Sequence, residues 1–117
     1  MPIKNIFKIN PVSFKCHGGE GNAKLVGVFD KPDFQSGLNF IHYTTLPPLV
    51  SIGLHTHGND EEVYIVLEGS GVMETDGQKI KVKKGDVILN PPFGTHSLIN
   101  TSTNNELKIL VFSADCR

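Results

Sequence analysis

Residues 78–83, Gln-Lys-Ile-Lys-Val-Lys, alternate polar and apolar side chains with a period of two, the pattern of a strand with one wetted face. Short runs rich in Val, Ile, Leu, Phe and Thr recur along the chain: LVGVF, LNFIHYTTL, SIGLHTH, EEVYIVLE, GVMETD, DVILN, HSLIN and LKILVF. Glycine and proline separate these runs rather than gathering in one linker. Asp76-Gly77 reads as a two-residue hairpin turn, because both positions of that turn favour φ > 0. No window of about 11 residues or more keeps the i, i+3, i+4 pattern of an amphipathic helix. Short strands with turn signals every ~8–12 residues predict an all-β sandwich or barrel.

Length and charge narrow the picture without changing it. A chain of 117 residues predicts one domain, spanning 1–117, large enough to bury roughly two-thirds of its unfolded surface. A formal net charge of −1 leaves no electrostatic footprint for nucleic acid or an anionic membrane. No run approaches the ~20 apolar residues of a membrane span, and MPIKNIFKIN lacks the apolar core of a signal peptide. The expectation is therefore a cytoplasmic protein in which Cys16 and Cys116 stay free thiols. The glycine-rich segment 15–22, KCHGGEGN, lacks the spacing of a phosphate-binding loop and reads as structural, with His17 exposed on it.

Candidate chemistry concentrates in residues 55–71, HTHGNDEEVYIVLEGSG. On a strand, residues i and i+2 share a face, so His55 and His57 present two imidazoles side by side. An acid five positions after His57 would face the wrong way in an unbroken strand. Gly58-Asn59-Asp60 supplies a turn that resets the parity, and by spacing alone either Glu61 or Glu62 can then converge on the histidines. His96, in a Pro-Pro-Phe-Gly-Thr-His turn, supplies a third imidazole. Three histidines and one carboxylate suit a divalent transition ion (Mn, Fe, Ni, Co or Zn) rather than Mg or Ca, which prefer oxygen shells.

At these residues the chain resembles the cupin superfamily. The first cupin motif, G(x)5HxH(x)3–4E(x)6G, is met over residues 53–69 by His55, His57, Glu62 and Gly69, and the count to the glycine selects Glu62. The second, G(x)5PxG(x)2H(x)3N, is met over 85–100 by Gly85, Pro91, His96 and Asn100. The resemblance implies a double-stranded β-helix, or jelly-roll barrel, with a metal near one mouth. It departs from the pattern twice. Leu49 stands where the first motif opens on glycine. Either leucine adopts φ > 0 there, at a cost on the order of 1 kcal/mol or more, or the turn has another shape. Phe93 fills the glycine slot of the second motif, and Gly94 follows one place late.

Strand parity with Glu62 inward also turns Tyr64 and Val66 inward. Aligning the preceding strand through Pro48, as in related cupins, makes Phe40, His42 and Thr44 the cavity-lining set. His42 and Tyr64 are the candidate catalytic groups, His42 as base or donor and Tyr64 through its hydroxyl. Phe40 and Phe93 are the candidate apolar pocket. The resemblance is to small cupins likened to oxalate decarboxylases, which carry an arginine just ahead of the first histidine. Here Ile52-Gly53-Leu54 stands in that place, and the one arginine of the chain is Arg117. That disfavours a dianion and favours a less charged, partly apolar small-molecule ligand. The expected function is a metal-dependent enzyme, of decarboxylase or dioxygenase type, acting on a carboxylate, hydroxyacid or diketone-like metabolite. The alternative is a non-catalytic, metal-assisted small-molecule or sugar-binding module. A homodimer is expected, with Ile3, Ile6, Phe7 and Ile9 of the N-terminal segment packing on the partner.

Overall fold

The structure is a computed structural model that describes residues 1–117. Ten strands carry the fold: β1 (Val12–Phe14), β2 (Ala23–Asp30), β3 (Leu38–Leu46), β4 (Ser51–Thr56), β5 (Asp60–Glu68), β6 (Ser70–Thr75), β7 (Gln78–Lys83), β8 (Val87–Asn90), β9 (Thr95–Ile99) and β10 (Leu107–Asp115). They form a six-stranded sheet, β1-β2-β3-β10-β5-β8, facing a four-stranded sheet, β4-β9-β6-β7. Every pairing is antiparallel. This is the expected all-β jelly roll. The pattern did not signal β1 or the two short 3-10 turns, Cys16–Gly18 and Lys31–Asp33.

Alternation builds the interior. On β10 the side chains of Leu107, Ile109, Val111 and Ser113 are buried, and on β5 those of Glu62, Tyr64 and Val66, while Val63 and Ile65 are only half-buried on the outer side. The inward residues join Leu46, Ile52, Met73, Val82 and Leu98 in one core between the sheets. On β7 the clean alternation is only partly used: Val82 is buried, but Ile80 stays 47% exposed.

The turns follow their residue chemistry. Asp76 (φ 46°) and Gly77 (φ 83°) both take left-handed backbone in the β6–β7 hairpin. Leu49 adopts φ 64° and Phe93 φ 60°, so both turns keep the left-handed shape without the glycine that would suit it. Asn100 is fully buried and ties two loops together. Its Nδ2 donates to the carbonyls of Leu46, Pro47 and Asn105, and its Oδ1 accepts from the Ser102 N–H.

The N-terminal segment corrects one expectation. Ile6 and Ile9 pack on the outer face of the chain's own β2 and β3, against Val26, Val28 and Tyr43, rather than standing free for a partner. Ile3 and Phe7 remain exposed, Phe7 edge-on to Tyr43.

Candidate metal centre

Two backbone irregularities aim the histidines. On β4, Ile52 pairs with Leu98 and His55 with His96, three steps on one strand against two on the other. The extra residue is a bulge at Gly53-Leu54, and it lets Ile52 and His55 both face inward despite their odd offset. β4 then ends at Thr56 and β5 begins at Asp60, so the turn between them restarts the parity and buries Glu62 while leaving Glu61 exposed. The Phe93 loop latches that turn: the His57 N–H donates to the Gly94 carbonyl and the Phe93 N–H to the Gly58 carbonyl, each at 2.9 Å.

The structure brings His55, His57, Glu62 and His96 together, with one ligand atom from each lying within 4.8 Å of all the others. His57 Nε2 is 3.1 Å from His96 Nε2, and Glu62 Oε1 is 3.5 Å and 3.4 Å from those two nitrogens. A transition ion held at about 2.0–2.1 Å by neighbouring donors at right angles sets those donors roughly 3 Å apart, so the spacing fits such an ion. The outer ring nitrogens fit as well. His55 Nδ1 donates to the Gly53 carbonyl at 2.7 Å, and His57 Nδ1 donates to Asp60 Oδ2 at 3.3 Å, which leaves each Nε2 lone pair turned inward. Ser113 Oγ donates to the same Asp60 oxygen and accepts from Asn39, so Asp60 is itself held. Asn90, the cross-strand neighbour of Glu62, is buried with neither side-chain polar atom hydrogen-bonded.

Protonation states suit the same role. Burial pushes the His55 imidazole down to about 4, so it is neutral at ordinary pH. Burial alone would raise Glu62, but hydrogen bonding from His96 and the charges of His57 and His96 outweigh it and hold the carboxyl below its usual value. Tyr64, pushed well up by burial and then by the Glu62 carboxylate, keeps its proton, and its Oη lies 3.3 Å from His96 Nε2. Burial, followed by the Glu62 charge, raises the Cys16 thiol to about 11.

The cluster opens onto a cavity of about 400 Å³. His57, Glu62 and Tyr64 line it on the side of the cluster, and Phe40, His42 and Thr44 of β3 line it further along. Phe93 is not among its lining residues; that side chain is 67% exposed, because the left-handed backbone turns it out of the loop. His42 stacks on Phe40 with ring centroids 4.1 Å apart, and its Nε2 is 3.6 Å from Asp30 Oδ1. His17 is the surprise. Its 3-10 turn lies over β4 and stacks the imidazole on His55 at 3.7 Å and 8°, in left-handed backbone at φ 50°. No local signal in the sequence pointed to this, since the contact joins segments that are distant along the chain. Asp60 carried a weak signal, an acid three residues after His57 in the turn.

Comparison with known proteins agrees with this architecture. The cupin-domain family model matches residues 42–113. A curated relative, the oxalate-binding protein of Thermotoga maritima, is 32% identical over 93 residues, covering 80% of this chain and 76% of that protein. The crystal structure of a protein described as a predicted oxalate decarboxylase, also from Thermotoga maritima, superposes with a TM-score of 0.94 at 28% identity, covering 98% of this chain and 100% of that one. The polyketide cyclase RemF of Streptomyces resistomycificus shares the fold, with a TM-score of 0.80 at 20% identity over 100% of this chain and 80% of that one.

Proposed function

The chain belongs to the cupin family, and from that membership we propose a metal-dependent enzyme acting on a small carboxylate, hydroxyacid or diketone-like metabolite, by decarboxylation or oxygenation. One observation carries this reading: His55, His57, Glu62 and His96 converge, and two of them, His57 and Glu62, line a cavity large enough for an organic ligand. These four side chains would hold one divalent ion of the Mn, Fe, Co, Ni or Zn type. When bound, such an ion polarises a carbonyl or carboxylate oxygen and, if octahedral, keeps two positions free for a ligand.

The chain's own residues supply the rest. Asp60, fixed by Ser113, orients His57. Tyr64, protonated and buried, donates to a ligand oxygen beside the cluster. His42 offers a second polar contact farther along the cavity, and Phe14, Leu25, Ile52 and Val111 keep water from the walls between. The second reading, binding without turnover, draws support from the relative named an oxalate-binding protein.

Purified protein carrying its ion, tested with a panel of carboxylates and diketones for CO2 release and O2 uptake, separates the two. Turnover of one member, reduced roughly 100-fold in Tyr64→Phe with metal content unchanged, supports the enzyme. Tight binding with neither gas exchanged supports the binding module. The protein is further proposed to act in the cytoplasm and as a homodimer.

A further inference from the structure

The cavity is more specific than the ligand class just proposed, and the following rests on that proposal. Its volume of about 400 Å³ equals the liquid volume of about thirteen waters, far more than a small diacid fills. Neither lysine nor arginine is among the lining residues. A divalent ion and Glu62 leave one positive charge, and the Asp60 carboxylate behind His57 offsets it. Each negative charge on a ligand is therefore hard to neutralise in this half-buried site, so a dianion is penalised more than a monoanion.

The wall beyond the cluster is mostly apolar and partly flat, with His17, His42 and Thr44 as its polar members. β3 presents Phe40 and His42 as one stacked surface, their planes 25° apart, and Phe14, Leu25, Ile52 and Val111 close the other sides. Aromatic rings prefer offset or edge contacts with such a surface, with centroids ~4.5–7 Å apart. A ligand with a charged head alone would leave this surface wet.

We infer that the site selects a monoanionic O,O-chelator, of the 2-oxo or 2-hydroxy acid class, whose tail is a planar apolar ring seated on Phe40 and His42. The head takes the metal side, beside Tyr64, and the ring takes the β3 side. Phe40 is then a specificity-determining residue: it touches the ring and leaves the head alone.

The test is calorimetric titration of the protein, loaded with the ion it carries on purification, by pyruvate, phenylpyruvate and oxalate. Phenylpyruvate is expected to bind about tenfold tighter than pyruvate or better, with oxalate the weakest of the three. In Phe40→Ala the ratio of phenylpyruvate to pyruvate affinity falls toward one, with metal content unchanged. Metal content measured on the same samples separates the two levels of the account. Metal-bearing protein that binds pyruvate and phenylpyruvate equally, or oxalate most tightly, overturns this inference and leaves the metal-dependent function standing. Protein that carries no metal and binds none of the three overturns both.

Discussion

Leu49 shows how one residue can depart from a motif without changing the backbone it sits on. It holds φ 64° with its side chain 58% exposed, so it accepts left-handed strain and gains little burial in return. Left-handed backbone costs a non-glycine residue about 1–2 kcal/mol, and glycine gives back about 0.5–1 through the greater freedom of its unfolded chain. Leu49→Gly is expected to raise the free energy of unfolding by about 0.5–1 kcal/mol in a urea titration. The same departure at Phe93 was visible in the sequence, but its consequence was not: a glycine slot filled by phenylalanine suggests a ring in the pocket, and the backbone turns that ring to solvent. Titration at the centre follows the same residue-level logic. His55 has a folded pKa of about 4, below its ordinary 6.5, so between those values the unfolded chain binds more protons than the folded one. Its contribution to stability is complete above about pH 6.5 and is lost as the pH falls through 4, with the depressed Glu62 adding to the loss in acid. The metal-free protein is therefore expected to melt at a lower temperature at pH 4.5 than at pH 7.5. A melting temperature independent of pH over that range would contradict the assignment.

Among elements, strands were the legible part, because the period-2 pattern and the turn residues are local. The nine runs read from the sequence correspond to β2 through β10, with ends moved by a few residues at most. What local pattern could not carry was contact between distant segments, and the Cys16–Gly18 turn is the main example. It sits on β4 because two glycines let the backbones touch. A Cβ at Gly19 would come within 2.3 Å of the Ser51 carbonyl oxygen, and one at Gly53 within 2.1 Å of the His17 oxygen. Reciprocal bonds finish the dock: the Ser51 N–H donates to the Glu20 carbonyl, and the Glu20 N–H to Ser51 Oγ. Gly19→Ala is expected to lift the turn, cost about 1–3 kcal/mol in stability and unstack His17 from His55 while metal content holds. An unchanged denaturation midpoint would show that the turn is not held in this way.

At the scale of the molecule, two sheets bring His55, His57, Glu62 and His96 from three strands and one turn to a single cluster. That these four would converge was readable from two motif spacings, since strand parity and turn length are properties of sequence. The network behind them, Asn39 to Ser113 to Asp60 to His57, was not, because it joins strands through register. The molecule also shows the apolar edge strand β8, with Val87 and Leu89 66% and 61% exposed. A homodimer covering such an edge would run in sedimentation at twice 12.8 kDa, and a species of 12.8 kDa at micromolar concentration would remove that proposal. The central claim, that these four residues hold one transition ion, is tested most directly by elemental analysis of purified wild-type protein beside His55→Ala and His57→Gln, with folding of each checked by circular dichroism. About one ion per chain in the wild type, and a small fraction of that in both folded variants, is the expected result. Equal metal content in all three proteins would contradict it.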